Sequence, residues 1–303
     1  MSLYTTDSAR PLGKGLQSPA GSILDRELQS MFRNYKRSTA GRYRAVVEDD
    51  FLTSLPHGEL MVSPKMDGEM WFMVLDEKDA FLASPKGRVI SGKVPILEEA
   101  QAALGRAQGR TIIAGELFVV NKDKSRPRVG GLSSAMGGET KAQVGRMAFA
   151  AFDSLLGGDA ESGASIPLYK ERLEMLERLF KGGKRAKAIR TEHVKGGARI
   201  VELFEKWVAG GKGEGLVIRT PENAIFKAKP TINLDAVIIG YTESSDGPDK
   251  VGSVLLALMR DDGKFHVLGS CGNMPTDQRI AFMKQLKPTT CGSEYRYANS
   301  RGA

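Results

Sequence analysis

A lysine in a short turn-like run, followed by three polar segments, carries the chemistry that this sequence suggests. Lys65 lies in Ser63-Pro64-Lys65-Met66-Asp67-Gly68. The segments that follow it are Gly115-Glu116-Leu117, Glu214-Gly215-Leu216-Val217-Ile218-Arg219 and Lys227-Ala228-Lys229. A K-x-D-G tetrapeptide alone recurs by chance, whereas the ordered set is far more specific. Lys65 supplies an amine, and the other segments supply the carboxylates and further cations that this amine needs around it in order to attack a nucleotide phosphate.

Lysine attacks a phosphorus atom only as the neutral amine. A free lysine has a pKa of about 10.4, and lowering it by about three units requires roughly 4 kcal/mol of differential stabilisation. Partial burial, neighbouring cations and a divalent metal can supply it. Gly68 permits close backbone approach, and Met61, Met66 and Trp71 provide apolar surroundings. The alternative for Lys65 is an exposed turn lysine.

Residues in the later segments could also contact the nucleotide or a metal ion. Glu116 and Glu214 each adjoin a glycine, where a carboxylate can reach a sugar hydroxyl or Mg²⁺. Lys227 and Lys229 alternate along an expected strand, so both side chains could clamp one phosphate. Phe152 ends an apolar run, and its ring could stack on a purine. The competing interpretations are surface acids, a solvated edge strand and a core phenylalanine.

Short apolar runs bounded by Gly, Pro and Asp predict the strands that hold these residues. The runs are residues 60–62, 70–75, 80–83, 111–114, 117–120 and 147–152. Helical spacing is expected over residues 23–37, 95–108, 169–180 and 200–209. This order predicts an α+β fold with largely antiparallel sheets and intervening helices. The polar residues 1–25 are expected to wrap loosely or to be disordered.

The predicted secondary structure changes after Pro230. Strands are expected at residues 234–241, 254–259 and 265–270, with turn-rich gaps and almost no helix. A small β-barrel fits this pattern, with an oligonucleotide-binding (OB) fold as the leading candidate. We therefore expect residues 1–232 to form one domain with an N-terminal extension. Residues 233–303 would form the second, which could be truncated.

Charge favours an acidic partner. The 303 residues carry a formal net charge of +8 and have a pI near 9.4. Nucleic acid, a ribosomal surface and simple solubility are all compatible with this charge. Residues 32–44 interleave five cations with three aromatics, a pattern that suits phosphate contacts beside stacking. The alternative is a solvated helix end whose aromatics pack into the core.

Composition argues against several other classes. No apolar run approaches the roughly 18 residues of a membrane span, and the first residues lack the features of a signal peptide. The cytoplasm of a bacterial or phage-infected cell, or association with the nucleoid, is the expected location. Two cysteines and three histidines without ligand spacing argue against a transition-metal site.

The motif set resembles the covalent nucleotidyltransferase superfamily, and most closely the ATP-dependent DNA ligases. The similarity spans more than half of the chain, from Lys65 to the run Asp235-Ala236-Val237-Ile238-Ile239-Gly240. The resemblance implies a nucleotidyltransferase (ATP-grasp-like) domain of antiparallel sheets with helices, followed by a small OB-fold barrel. It also implies ATP and Mg²⁺ as cofactors, nicked duplex DNA or RNA as the partner, and a monomer.

The resemblance also implies roles for individual residues. Lys65 would carry AMP as a phosphoamide and would belong with Asp67 to the catalytic set. Lys227 and Lys229 would hold the α-phosphate and belong to the same set. The remaining residues implied to bind nucleotide or metal are Glu116 (ribose and metal), Phe152 (adenine stacking), Glu214 (metal) and Ser63 (adenine amino group, through its side chain or backbone).

Several positions depart from the ligase pattern. Met70 stands where ligases usually carry an arginine, and Lys86 or Arg88 could substitute for it in nucleotide binding. Arg219 replaces the lysine that ends the Glu-Gly motif, which preserves charge but changes geometry. The basic segment expected at the far end of the barrel is not recognisable: either the chain is cut short, or Arg296 and Arg301 do that work.

The leading hypothesis is an ATP-dependent DNA ligase that seals nicks through Lys65-AMP and an adenylated 5′-phosphate. An RNA ligase is the second enzymatic interpretation, favoured by Met70 and by the lack of a large N-terminal DNA-clasping domain. An mRNA-capping guanylyltransferase is the third. From a different class, the chain could be a nucleic-acid-binding module that kept the fold and lost turnover.

Overall fold

The computed structural model describes residues 2–76, 79–107, 109–123, 125–137, 141–156, 167–231 and 233–294. The chain divides into two compact units, Met1–Thr231 and Ile232–Ala303. Gln108, Arg296 and Arg301, which belong to predictions made above, lie outside the described residues. No helix within the described ranges is long and apolar enough to cross a membrane.

The first unit is built from two sheets and several helices. Its strands are β1 Arg10–Leu12, β2 Lys14–Ser18, β3 Tyr43–Val46, β4 Glu59–Pro64, β5 Glu69–Asp76, β6 Asp79–Ala83, β7 Val89–Lys93, β8 Thr111–Val119, β9 Met147–Leu156, β10 Ala186–Ala188, β11 Glu192–Lys195, β12 Leu216–Arg219 and β13 Ile225–Ala228. Its helices are α1 Arg26–Tyr35, α2 Pro95–Gln101, α3 Val129–Gly137, α4 Lys141–Val144, α5 Tyr169–Leu179 and α6 Gly197–Trp207.

The strands pair in a largely antiparallel manner, which confirms the predicted α+β class. One sheet has eight strands in the order β1-β2-β7-β6-β5-β8-β9-β10, and the other has five in the order β11-β4-β12-β13-β3. Only the pairs β9–β10 and β3–β13 are parallel in these two sheets. The motif segments therefore lie on or directly beside the central strands β4, β12 and β13 of the smaller sheet and on β8 of the larger one.

Strand β5 shows why the larger sheet is stable. Its side chains alternate between two cores, with Trp71 and Met73 on one face and Phe72 and Val74 on the other. A strand that is buried on both faces reads as a continuous apolar run rather than an alternating one. Helices α2, α3 and α5 cover the first face and α1 covers the second, while α6 packs on the smaller sheet.

Helix α1 places part of the basic, aromatic run in the core. Asp25 caps the helix by accepting hydrogen bonds from the backbone N–H groups of Glu27 and Leu28. The Phe32 ring stacks on that of Phe72, with centroids 4.3 Å apart, and Tyr35 is also buried. The core-packing alternative is thus correct for these two aromatics.

The expectation of a loose N-terminal segment was wrong. Residues 10–18 form β1 and β2 at the edge of the larger sheet, where β2 pairs with β7 and Gly15 lies opposite Gly92. A Cβ atom on Gly15 would lie 2.4 Å from the Val94 side chain. Few apolar side chains are needed at a sheet edge because the backbone ladder supplies the contacts, and the segment therefore looks polar in sequence.

Two other predictions also differ from the structure. The two runs at residues 111–120 form the single strand β8, because Gly115 continues it where a Cβ would lie 2.3 Å from the Phe149 ring. Helix α3 was not predicted, since its Gly- and Ser-rich sequence has low helix propensity. It is held by Leu132 and Met136, which are buried in the core.

The second unit contains the three predicted strands, β14 Val237–Ser244, β15 Gly247–Met259 and β16 Phe265–Cys271, in one antiparallel sheet. The expectation of almost no helix was wrong, because α7 (Thr276–Leu286) follows them. Met283 of α7 is buried with Val251 and Val254. Residues 233–294 do not form a closed barrel.

Candidate active site

The segment that contains Lys65 is fixed by backbone pairing. Strand β4 ends at Pro64, which lies opposite Leu216 of β12, and the Lys65 N–H donates to the Gly215 carbonyl at 2.8 Å. On its other side β12 pairs with β13, so that Val217 lies opposite Lys227. Three motifs far apart in sequence therefore occupy neighbouring strands.

Gly215 is required by this arrangement. Its φ is +154°, and a Cβ at this position would lie 2.2 Å from the Ala228 carbonyl oxygen. Side chains other than hydrogen are strained at such a φ, and the close approach of two strands adds to the strain.

Gly215→Ala is expected to lower the free energy of unfolding by about 2 kcal/mol or more, because it combines an unfavourable φ with a clash against backbone. Urea unfolding of the purified chain measures this. Gly105→Ala is the matched control, since a Cβ there meets nothing within 4 Å. Equal stability of the two variants would contradict the prediction.

A cavity of about 360 Å³ lies beside these strands. The predicted site residues that line it are Ser63, Lys65, Glu116, Phe152, Arg219 and Lys227. Glu116 reaches it from β8 in the other sheet. Gly68 allows this approach, because a Cβ there would lie 2.3 Å from the Leu117 carbonyl oxygen and 3.1 Å from the Glu116 side chain.

Glu214 joins two of the predicted lysines. Its carboxylate lies 2.5 Å from Lys65 Nζ and 2.8 Å from Lys229 Nζ. Burial alone would raise the pKa of Glu214, but the hydrogen bonds from Lys229 and Lys65 outweigh it and lower the pKa overall. Glu214 therefore stays ionised at neutral pH and holds the Lys65 side chain, which is 21% exposed, at the cavity.

Glu116 behaves in the opposite way. Burial raises the pKa of its carboxyl group to about 7, although the Lys65 charge and the Gly68 N–H oppose the shift. The nearby negative charge of Glu214 raises it further. At neutral pH, Glu116 is thus poised between its neutral and ionised forms.

This shift predicts a pH-dependent stability. Between pH 4.5 and about 7 the folded chain keeps the Glu116 proton that the unfolded chain has lost, so the stability of the wild type falls as pH rises. Glu116→Gln removes this effect. Urea unfolding should therefore show Glu116→Gln gaining about 3 kcal/mol on the wild type between pH 4.5 and pH 8.

Glu98→Gln, at an exposed position of α2, is the control for the loss of one surface carboxylate. A stability difference between Glu116→Gln and the wild type that does not change with pH would contradict the prediction.

Lys227 presents its ammonium group to the same cavity. Its Nζ lies 3.8 Å from the centroid of the Tyr43 ring, a cation–π contact. Burial and the charges of Lys65 and Arg219 lower the pKa of Lys227.

Arg219 lines the cavity but directs its polar atoms into the protein. Its Nη1 donates to the Phe152 carbonyl at 3.1 Å and to the Tyr169 hydroxyl at 2.7 Å. Its guanidinium also lies 5.3 Å from the centroid of the Phe152 ring. Arg219 is therefore placed to orient Phe152, whose ring faces the cavity.

The other predicted residues lie elsewhere or contact other groups. Lys86 and Arg88 do not line the cavity. Lys86 is exposed, and Arg88 pairs with Glu69 at 2.5 Å. Asp67 is paired with Arg126 at 3.0 Å. Met70 does line the cavity, so the site has a thioether side chain where ligases usually place arginine.

Sequence reasoning assigned no role in the site to Tyr43 or to Arg126. Tyr43 belonged to the basic, aromatic run, and its position between two arginines was the available signal. Nothing in the sequence singled out Arg126, because its partners Asp67 and Gly213 are 59 and 87 residues away.

The carboxylates fit a magnesium ion. Among the described residues, no group of three or more His, Cys, Asp and Glu side chains could hold a metal. Mg²⁺, however, is commonly bound by one or two carboxylates together with substrate phosphates. Glu116 and Glu214 would hold it here, and the ion would neutralise charge on the reacting phosphates.

A lysine that is paired with a carboxylate and lies beside a cavity of about 360 Å³, on two largely antiparallel sheets, is the arrangement that covalent nucleotidyl transfer requires. Comparison with known proteins gives the family. The family model described as "ATP dependent DNA ligase domain" matches residues 43–231. The chain belongs to this family, whose members use ATP.

Curated relatives agree with the family. The chain is 29% identical over 252 residues to DNA ligase C2 of Mycolicibacterium smegmatis, covering 78% of this chain and 68% of that protein. It is 30% identical over 151 residues to DNA ligase C of Mycobacterium tuberculosis, covering 46% and 41%. The recognition as an ATP-dependent DNA ligase is therefore confirmed.

Solved structures agree with the fold. Pmar-Lig_PreS3 superposes with a TM-score of 0.63 at 19% identity and covers 82% of this chain, which spans 60% of that one. A Lig E DNA ligase structure superposes with a TM-score of 0.54 at 17% identity, covering 75% and 83%.

Proposed function

We propose that this chain seals nicks in duplex DNA through covalent transfer of AMP via Lys65. The observation that carries the proposal is the position of Lys65, held by Glu214 at 2.5 Å and lining one cavity with Glu116, Phe152 and Lys227. These side chains match the needs of nucleotidyl transfer: a nucleophile, a surface for the base, and charges for phosphates and metal.

In the first step, the Lys65 ammonium group, which is paired with Glu214, loses one proton to solvent, and the neutral Nζ then attacks the α-phosphorus of ATP. The N–P bond forms, the bond to the pyrophosphate oxygen breaks, and the amine proton leaves. Glu214 orients the amine and, because its lowered pKa keeps it ionised, the proton released from the nitrogen goes to solvent. Lys227 offsets the negative charge that builds on the α-phosphate, and the Phe152 ring stacks on adenine.

In the later steps, the AMP leaves Lys65 for DNA. An oxygen of the nick's 5′-phosphate attacks the lysyl phosphorus, the N–P bond breaks, and Lys65 recovers a proton. The 3′-hydroxyl then attacks the 5′-phosphorus, losing its proton as AMP departs and the phosphodiester forms. Lys229, which is 56% exposed and pairs with Glu214 at 2.8 Å, would position that carboxylate rather than line the cavity.

The second unit would contribute to DNA binding. We propose that its sheet is part of an OB fold in a monomeric enzyme. The support is the order of three antiparallel strands and the register shifts around Gly240 and between Leu256 and Ala257, since bulges produce the bending that such barrels need.

A nick-sealing assay tests the proposal. The chain is incubated with ATP, Mg²⁺ and a duplex that carries one nick, with all-DNA and all-RNA nicked strands compared at equal concentration. Sealed DNA with release of AMP supports the proposal. Preference for the RNA substrate would favour the RNA ligase alternative, for which the observation is Met70 at the cavity wall. Salt-sensitive binding without sealing or covalent nucleotide would leave only a binding module.

A further inference from the structure

Arg126 connects the two loops that carry the reacting groups. The first loop, residues 65–68, follows β4, and the second, residues 213–215, precedes β12. Arg126 belongs to neither, because it lies between β8 and α3. Its Nη2 donates to the Asp67 carboxylate at 3.0 Å and its Nη1 donates to the Gly213 carbonyl at 3.0 Å.

The geometry of the guanidinium suits this contact. An arginine side chain presents its N–H groups in a rigid planar fork, so two acceptors that it binds are held at a set separation. The Arg126 and Asp67 side chains are each 22% exposed, so water competes with the pair less than it would at the surface. Breaking the contact would free the two loops from each other on this side.

The two loops carry the two residues proposed to react, Lys65 and Glu214. The Lys65 N–H donates to the Gly215 carbonyl, and Lys65 Nζ pairs with Glu214. Asp67 lies two residues after Lys65, and Gly213 directly precedes Glu214. Arg126 thus donates hydrogen bonds to Asp67 and Gly213, which are close in sequence to the two reacting residues. Arg126 itself does not line the cavity.

The buried Nε of Arg126 adds a second observation. Among the described residues it has no hydrogen-bond partner, and a buried N–H without a partner costs stability. The side chain is held in this position by its two contacts with the loops rather than by full satisfaction of its own donors.

We propose that Arg126 is a positioning residue for nucleotidyl transfer, which aligns Lys65 with Glu214 by clamping Asp67 to the Gly213 carbonyl. Asp67 then acts through Arg126 and not on the substrate. This inference rests on the proposed function for its kinetic consequence, while its structural part can be tested separately.

The kinetic test compares variants in single-turnover formation of Lys65-AMP. Arg126→Met is expected to slow the step by about 10²-fold, because a misplacement of about 1 Å has an effect of that size. The KM for ATP should change by less than about threefold, since Arg126 does not line the cavity. Arg126→Lys keeps the charge without the fork and should be intermediate.

Two controls make the result specific. Arg128→Met removes an exposed arginine from the same segment and should leave the rate unchanged. Asp67→Asn should slow the step as Arg126→Met does, and the double variant should be no slower than the worse single one, because both act through one contact. Additive losses, or an Arg126→Met rate within about threefold of the wild type, would overturn the proposal.

A readout that needs no activity separates this inference from the proposed function. Hydrogen exchange of the Lys65 amide, which donates to Gly215, should accelerate at least about tenfold in Arg126→Met and Asp67→Asn but not in Arg128→Met. Acceleration without any covalent nucleotide in the wild type would retain the clamp and reject the ligase. Unchanged exchange would reject the clamp even if the wild type seals nicks, and if Arg126→Met fails to fold, Asp67→Asn decides both readouts.

Discussion

Lys65→Arg is expected to abolish covalent labelling by α-labelled ATP, with a fall of at least about 10⁴-fold, because arginine remains protonated and cannot act as the nucleophile. The substitution keeps a positive charge beside Glu214, which pairs with Lys65 at 2.5 Å in the wild type. Loss of labelling would therefore not be due to an unpaired buried carboxylate. Intact-mass measurement of the purified protein, before and after incubation with ATP and Mg²⁺, gives the extent of labelling.

The chemistry of the label provides a further check. A phosphoamide is labile in acid and stable in alkali. AMP linked to the oxygen of a hydroxyl or carboxyl group does not show this combination of stabilities. Lys86→Arg, in the exposed turn between β6 and β7, is the matched control and should label as the wild type does. Label that persists in Lys65→Arg with the same stability would place the nucleophile elsewhere.

The same variant separates the steps of sealing. A nicked duplex whose 5′-phosphate already carries AMP does not need the Lys65 amine as a nucleophile. Lys65→Arg should therefore join it at a rate within about tenfold of the wild type, while failing to seal an ordinary nick. Failure on both substrates, with normal thermal stability, would mean that Lys65 also serves the last step.

Sequence reasoning could propose Lys65 as the nucleophile because the residues of its motif are adjacent in the chain. The residues around Lys65, Glu214 and Lys227 lie on or beside β4, β12 and β13. Strands β4 and β13 were expected from the pattern of apolar residues, whereas β12 was not among the predicted strands. The ordered motifs then predicted one site, and the structure brings Ser63, Lys65, Glu116, Phe152, Arg219 and Lys227 to one cavity.

The features that sequence reasoning could not predict depend on contacts between residues that are far apart in the sequence. Strands β1 and β2 are polar in sequence and form because β7 offers a backbone edge. Arg126 gains its importance only from Asp67 and Gly213, whose closeness follows from the packing of two sheets. Lys86 and Arg88 looked suitable by charge alone, yet neither lines the cavity. Tertiary contacts override local propensity in each case.

Substitution of Lys227 is the second change for which we expect a large effect. Substitution of Lys229 is expected to have a smaller effect, because the structure places the two side chains differently. Both were predicted to hold the α-phosphate, but only Lys227 lines the cavity. Lys229 is directed to Glu214 at 2.8 Å and is more than half exposed. A charge that faces the cavity from a half-buried position is worth more to a bound phosphate than an exposed charge, because water screens the exposed charge.

Lys227→Met is therefore expected to slow Lys65-AMP formation by about 10²- to 10³-fold, the range found when one preorganised charge or donor is removed from a transition state. Lys229→Met should slow it by about tenfold or less, since its charge acts through Glu214. Single-turnover labelling at saturating ATP measures both. Methionine is close to the lysine stem in length and apolar character, so the substitution removes the charge without leaving a large void.

The order of the two effects is the decisive outcome. If Lys229→Met is the slower variant, the α-phosphate lies on the Glu214 side of the site and the cavity beside Tyr43 holds another part of the nucleotide. If both are equally slow, the two lysines clamp one phosphate jointly, as their spacing of two residues suggested, although Lys229 follows the end of β13. A Lys227→Met loss confined to KM would mean that Lys227 binds ATP equally in the ground state and the transition state, and does not stabilise the transfer itself.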